Sequence, residues 1–270
     1  MPELSIIIVS YNARADLERC LTSLNMPPPA ISNEIIVVDN QSNDGSAQAA
    51  ERFPRVTVVN AGSNRGFAAG CNLGFQASTG AMALLLNPDT VVPSGAVDGL
   101  VRQFWSHPDV AVVGPRIVDG EGHPELSFGE MVSPLAEWRQ KKLVRGLERR
   151  NRGVLKRVDE MTRQEQSPDW VSGACLLVKR VDADAVGLLD ERYFMYLEDV
   201  DFCAAIRARG RKILFTPTVE VTHVRGRSAA TASEATHSAY RRSQLAFYWK
   251  HHPALAPLLE LYLRLRGELS

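Results

Sequence analysis

Leu4 to Val9 is a short, β-branched run, apolar apart from Ser5, with no alternation of apolar and polar positions. A strand that is apolar on both faces must be covered on both, and such strands are typically parallel and central. A parallel neighbour requires a crossover, and the chain supplies one. Leu17, Cys20, Leu21 and Leu24 follow helical spacing, and Pro27, Pro28 and Pro29 end that helix. The alternation then repeats: a strand over Glu34 to Val38, a helix over Gly45 to Phe53, a strand over Val56 to Asn60, a helix over Gly66 to Ser78 and a strand over Ala83 to Leu86. This order predicts an α/β fold built on a doubly wound, mostly parallel sheet flanked by helices.

Polar groups stand directly after three of these strands: Ser10-Tyr11-Asn12, Asp39-Asn40 and Asn87-Pro88-Asp89. In open α/β sheets, ligands bind outside the carboxyl ends of the strands. Singly, Asn12, Asn40, Ser42 and Asn87 read as caps and turn formers. Their coincidence at three strand ends points to a site.

The 270 residues carry 31 basic and 31 acidic side chains, and 45% are hydrophobic. That composition is globular, and the neutral balance offers no bulk attraction to nucleic acid. Cys20, Cys71, Cys175 and Cys203 form no Cys-x-x-Cys pair, which argues against a zinc site or disulfide framework and fits a cytoplasmic protein. Glu3 stands where a secretory signal wants basic residues, and no stretch approaches the ~20 apolar residues of a membrane span.

Further along, Val97, Leu100, Val101 and Phe104 mark a helix, and Val110 to Val113 reads as a strand. Between Arg139 and Arg157 lie nine basic residues and one acid, Glu148. This reads either as a solvated helix or as a basic mobile segment, over 139–165, that attracts an anionic ligand or lipid head groups. Trp170 to Val178 reads as one strand containing Ser172 and Gly173. The aromatic stretch Tyr193 to Tyr196 precedes Glu198, Asp199 and Asp201, which open a helix ended by Gly210. The helix dipole accounts for one acid in that first turn, but three beside an aromatic wall suggest a carboxylate held near a substrate. The tail, with Arg241, Arg242, Phe247 to Lys250 and a leucine-rich end, suits a docked helix, a dimer contact or peripheral attachment to the inner face of the plasma membrane.

The chain resembles the family-2 glycosyltransferases of GT-A fold, particularly the bacterial rhamnosyltransferase-like branch. The motifs that carry the resemblance are Ser5-Ile-Ile-Ile-Val-Ser-Tyr-Asn12, Val37-Val-Asp-Asn-Gln-Ser42, Asn64-Arg-Gly-Phe-Ala-Ala-Gly-Cys-Asn-Leu-Gly74, Leu86-Asn-Pro-Asp-Thr90, Ser172-Gly-Ala174, Phe194-Met-Tyr-Leu-Glu-Asp-Val-Asp201 and His223-Val-Arg-Gly-Arg-Ser228. It implies a GT-A domain over 1–228 and a helical tail over 229–270. The implied reaction moves a sugar, with inversion, from a nucleoside diphosphate donor to a hydroxyl of a glycan or lipid-linked saccharide. The branch suggests dTDP-rhamnose, and UDP-sugars use the same kind of pocket. Processive members carry Gln-x-x-Arg-Trp, which is absent here, so one sugar per encounter is expected.

By the same resemblance, Ser10, Tyr11, Asn12, Asp39 and Asn87 line the nucleotide pocket, and Asn64, Arg65 and Gly66 open a helix towards the diphosphate. The family's Asp-x-Asp metal motif is here Asn87-Pro88-Asp89, which leaves Asp89 to bind Mg²⁺ or Mn²⁺ with His223 as an assistant. Asp199 matches the general base, Glu198 is its alternate, and Ser172, Gly173 and Asp201 are expected near the sugars. Gly66, Gly70 and Gly74, four apart, serve close approach of either ligand or strand.

Rival readings fare less well. A dinucleotide-binding enzyme lacks its Gly-x-Gly-x-x-Gly after the first strand, and a P-loop kinase lacks its own signature. A sugar-nucleotide pyrophosphorylase would bring a glycine-rich loop after its first strand. Outside enzymes, a catalytically inactive nucleotide- or glycan-binding module or a membrane-associated scaffold stays open because Asn87 weakens the metal motif.

Overall fold

A computed structural model describes residues 2–224 and 234–269, with side chains of 234–236 left aside. The first half follows the alternation read from the sequence: β1 (Leu4–Ser10), α1 (Arg14–Asn25), β2 (Asn33–Asp39), α2 (Ser46–Ala50), β3 (Val56–Asn60), α3 (Gly66–Ala77), β4 (Met82–Leu86), β5 (Thr90–Val91) and α4 (Ala96–Ser106). The second half comprises β6 (Val110–Val118), β7 (Phe128–Gly129), α5 (Pro134–Glu148), α6 (Arg152–Thr162), β8 (Trp170–Val171), β9 (Cys175–Lys179), α7 (Arg180–Ala185), α8 (Glu198–Ala208), β10 (Lys212–His223), α9 (Glu234–His251) and α10 (Ala256–Leu265).

Eight strands form one sheet in the order β3-β2-β1-β4-β9-β6-β10-β5. Strand β1 runs parallel to both β2 and β4, β2 to β3, and β6 to β10. All seven residues of β1 are buried, as a central strand covered on both faces requires. Ile6 and Ile8 face a core with α1 and α4, whereas Ile7 and Val9 face a core shared with α3 and α8.

The structure departs from the reading of the sequence at 170–178 and at one unread strand, and for the basic stretch and the tail it selects among the alternatives left open. The stretch 170–178 is two strands, because the chain breaks at Ser172 to Ala174 and β9 then runs antiparallel to both β4 and β6. The basic stretch 139–165 is no irregular flap: it lies in α5 and α6, whose N-caps Ser133 and Asn151 accept from Ala136 and Val154 N–H groups. Arg116, nearly buried on β6, pins α6 through Asp159, Thr162 and, on β10, Glu220. Strand β10 has no counterpart in the reading of the sequence, because Pro217 and Glu220 interrupt its apolar pattern and shift its register against β6. Finally, the tail packs on the domain: Phe247, Tyr248 and Ala256 join the same core as α3 and α8. The boundary expected at 228/229 and the Arg225 to Ser228 part of the last motif lie outside the described residues.

Candidate active site

The carboxyl ends of β1, β2 and β4 lie side by side, with Ser10 opposite Asp39 and Ile8 opposite Leu86 in register. Ser10 and Asp39 are both buried, Asp39 at 3% exposure. Asp39 Oδ2 accepts the Ser42 N–H at 3.0 Å, while Asp39 Oδ1 and Ser10 Oγ have no protein partner. Two such atoms on adjacent strand ends are a polar cradle that a ligand would complete, since buried polar groups are otherwise satisfied. Tyr11 is exposed beside them. Asn12 has the turn-forming role open to its residue type: it adopts φ 50°, its Oδ1 accepts from Asn43 N–H at 2.8 Å and its own N–H donates to Ser42 Oγ at 2.9 Å.

The glycine-spaced helix α3 serves packing. A Cβ on Gly74 would stand 2.3 Å from Ile7 Cγ2, and one on Gly70 2.7 Å from Val9 Cγ1, so only hydrogen lets α3 lie this close to β1. Gly66 has φ +83°, and a Cβ there would meet the Phe194 carbonyl oxygen at 2.2 Å. That carbonyl accepts the Phe67 N–H at 2.8 Å, and Asn64 Oδ1 accepts the Gly66 N–H at 3.2 Å. Two of the helix-end donors expected to face a diphosphate are therefore engaged within the protein. Arg65, expected beside them, pairs instead with Glu191 at 3.6 Å across the surface.

Glu198 and Asp199 open α8 after Tyr196 and Leu197, both held at left-handed φ of 71° and 69°. Asp199 Oδ2 accepts the Gly173 N–H at 2.8 Å and Oδ1 the Val200 N–H at 2.8 Å. Burial nonetheless lifts its carboxyl above the ordinary aspartate range against the lowering pull of those bonds. Glu198 is buried with Oε2 unpartnered, and burial followed by the neighbouring Asp199 charge drives its carboxyl well above the usual glutamate range. Asp201, expected near the sugars, turns inward instead. Its carboxylate, 3% exposed, meets Lys250, His251 and Tyr193.

Asp89 ends the turn after β4, and its carboxylate Oδ1 lies 3.1 Å from His223 Nε2 on β10. The other imidazole nitrogen lies 3.2 Å from Glu125 Oε2. Burial disfavours charge on the ring, but the bonds to Asp89 and Glu125 outweigh it and raise the His223 pKa to about 9. A carboxylate on one imidazole nitrogen orients the other, the arrangement by which proteins aim histidine ligands at metals. Among the described residues no group of three or more His, Cys, Asp or Glu side chains converges on one metal position. The oxygen and nitrogen donors of Asp89 and His223 fit Mg²⁺ or Mn²⁺, which complete their shells with water and phosphate oxygens. Glu125 escaped the sequence reading because it lies in the irregular stretch between β6 and β7, 98 residues from its histidine.

These pieces close into one ring. Gly173, bonded to Asp199, precedes Ala174, whose carbonyl accepts the Asn87 N–H at 3.0 Å. Asn87 lies two residues before Asp89, which meets His223 and through it Glu125. The Ser127 carbonyl then accepts the Ser172 N–H at 2.8 Å, returning the chain to Gly173. Acids from three distant segments thus border one end of the sheet.

The family model of Glycosyl transferase family 2 matches residues 5–160. Over 282 residues the chain is 30% identical to an N-acetylglucosaminyl-diphospho-decaprenol L-rhamnosyltransferase of Mycobacterium tuberculosis, covering 99% of this chain and 90% of that protein. It is 26% identical over 227 residues to the low-salt glycan biosynthesis hexosyltransferase Agl10 of Haloferax volcanii, covering 83% and 67%. Among solved structures, the mannosyltransferase PcManGT from Pyrobaculum calidifontis, in complex with GDP-Man and Mn²⁺, superposes with a TM-score of 0.63 at 19% identity over 96% of this chain and 68% of that one. GalNAc-T7 with UDP, GalNAc and Mn²⁺ gives 0.64 at 18% over 91% and 48%.

Proposed function

The chain belongs to glycosyl transferase family 2, with a GT-A fold, and from that premise we propose that it transfers one sugar per encounter, with inversion, from a nucleoside diphosphate sugar to a lipid-linked saccharide. dTDP-rhamnose is the first donor to test and UDP-sugars the second. The observation that carries this reading is the ring that joins Asp199, Asp89, His223 and Glu125 beside the polar cradle of Ser10 and Asp39.

In this reading Asp39 and Ser10 accept and donate to the base or ribose, and Tyr11 stacks on the nucleotide. Asn87 borders the diphosphate, and of the Asn64-Arg65-Gly66 turn only Arg65 could reach it, by leaving its exposed partner Glu191. Asp89 and His223 would hold a divalent cation, and the chemistry such a cation would supply is neutralisation of charge on the departing nucleoside diphosphate. On the opposite side, Asp199 takes the proton of the acceptor hydroxyl as that oxygen attacks the anomeric carbon. Its raised pKa strengthens it as a base for an alcohol. The Gly173 N–H fixes the carboxylate's orientation, and Ser172 and Gly173 form the floor beside the sugars.

Residues 1–228 act as the catalytic domain, and 229–270, which include α9 and α10, form its tail. That tail suits work at the inner face of a membrane. On α10, Ala256 and Leu263 face the core, while Leu258, Leu261, Tyr262 and Leu265 form a second, exposed apolar stripe at helical spacing. Among the described residues no helix is long and apolar enough to cross a bilayer, so this stripe supports peripheral contact.

The test measures dTDP or UDP release from a donor panel, using an N-acetylglucosaminyl-diphospho-lipid as acceptor, with Mg²⁺, Mn²⁺ or EDTA. Metal-dependent release with an inverted product anomer by NMR is expected. Nucleotide binding with no release from any donor would instead favour the inactive binding module.

A further inference from the structure

The stretch that carries the acids is held by α9 at both ends and in the middle. Lys250 Nζ donates to Asp190 Oδ2 at 2.9 Å and to Asp201 Oδ2 at 2.8 Å, so one ammonium joins the two flanks of residues 190–201. His251 Nε2 lies 2.6 Å from Asp201 Oδ1, and its ring packs on Phe247 at 4.3 Å. In the middle, Ser243 Oγ donates to the Met195 carbonyl at 2.8 Å, immediately before the left-handed pair Tyr196 and Leu197. Left-handed conformations of non-glycine residues persist only where the surroundings over-determine them. Here the next residues are Glu198 and Asp199.

Electrostatics agrees with the geometry. Burial works against a charge on Lys250, yet Asp201 and Asp190 keep its ammonium protonated above the ordinary lysine range. Asp190 is held well below the usual carboxylate range, by Arg192 first and Lys250 next once the opposing effect of burial is overcome. The same helix reaches α5 as well, through Gln244 Nε2 to Glu137 at 2.7 and 2.8 Å.

We propose that α9 is part of the catalytic apparatus: Lys250, Asp201 and Ser243 are positioning residues that hold the strained turn and the first turn of α8, and thereby fix Asp199 against Gly173. This rests on the reading of Asp199 as the base. The three do not touch substrate. Their effect reaches the chemistry through where Asp199 sits, and a shift of about 1 Å at a reacting group costs up to about 100-fold in rate.

The experiment uses the full chain, dTDP-rhamnose, the diphospho-lipid acceptor and Mn²⁺. Lys250→Met and Asp201→Asn are expected to lower kcat by roughly 10- to 100-fold. Donor KM should stay within about twofold, the pattern of an interaction expressed in the transition state alone. Thermal stabilisation by dTDP should persist, and Lys250→Arg should recover part of the loss. Ser243→Ala should give a smaller fall of the same kind. In an Asp199→Asn background none of these changes should lower kcat further, because the group being positioned is gone. Unchanged kcat in Lys250→Met, a loss seen only in donor KM, or an equal further loss in the Asp199→Asn background would each overturn the proposal. If Asp201→Asn fails to fold, Lys250→Met and Ser243→Ala carry the same test. Near-normal turnover of Asp199→Asn alone sinks the base assignment and this proposal together. A crippled Asp199→Asn beside an unimpaired Lys250→Met sinks this proposal and leaves the base standing.

Discussion

Asp199→Asn separates chemistry from architecture at this site. The amide keeps one carbonyl-type oxygen, so it can still accept the Gly173 N–H that now lies 2.8 Å from Oδ2. What it loses is the second acceptor, which takes the Val200 N–H, and the ability to bind a proton. One neutral hydrogen bond is worth about 1 kcal/mol, and burial already disfavours the aspartate charge, so the net change in stability should stay within about 1 kcal/mol. Removal of a general base costs about 10²- to 10⁴-fold, or about 3 to 5 kcal/mol of barrier. The assay is nucleotide release at saturating donor and acceptor, with the melting temperature and the dTDP-induced shift measured on the same preparation. Because the folded pKa is raised, the parent should lose activity on acidification at a higher pH than an ordinary aspartate would dictate, and this acid limb should vanish in the variant. Turnover within a few-fold of the parent, or an unchanged acid limb, would refute the reasoning.

Glu198→Gln should stabilise the protein at neutral pH. A carboxyl whose pKa is raised by folding contributes stability that is present at low pH and is lost as pH climbs from its unfolded value towards the folded one, so the advantage of the amide should shrink below about pH 4. Melting temperatures across pH check this, and a gap that widens on acidification contradicts it. Gly74→Ala forces a methyl to 2.3 Å from Ile7 Cγ2 and should cost about 1 to 3 kcal/mol, read as a lowered denaturation midpoint; a neutral result would show that α3 is free to move off β1. Asp89→Ala should abolish the Mn²⁺ dependence of both dTDP binding and turnover, while retained Mn²⁺ stimulation would move the cation elsewhere. Leu261→Glu, on the exposed stripe of α10, should weaken sedimentation with anionic liposomes without changing turnover on a short-chain soluble acceptor; undiminished sedimentation removes α10 as the contact.

Much of this was legible in a linear reading because it depends on local pattern. The apolar runs ending in Ser10, Asp39 and Leu86 mark strands with polar groups at or just after their ends on one edge, since a parallel sheet aligns the carboxyl ends of strands joined by right-handed crossovers. The acids at 198 and 199 stand out for the same reason: three carboxylates in one helical turn exceed what a helix dipole uses. The glycines at 70 and 74 left two readings open, and contact with Val9 and Ile7 decides for packing.

Other features depend on partners far away in the chain. Nothing near Glu125 announces that it orients His223, and nothing around Asp201 distinguishes it from Asp199. The first is buried against Lys250 and His251, and the second faces Gly173. The two residues of offset between Asp199 and Asp201 on α8 turn the side chain by about 200°, enough to separate a group facing the site from one facing the tail. The β10 strand and the antiparallel insertion of β9 were hidden likewise, because pairing partners across a sheet leave no mark in either strand's own composition. Periodicity and residue type therefore marked the strands and helices of the first half and the edge at which polar groups gather, for those follow from burial along the chain. Which carboxylate meets which cation, and which acid is left with an unpartnered oxygen, was decided only when distant segments packed, because electrostatic partnership is a property of distance in space.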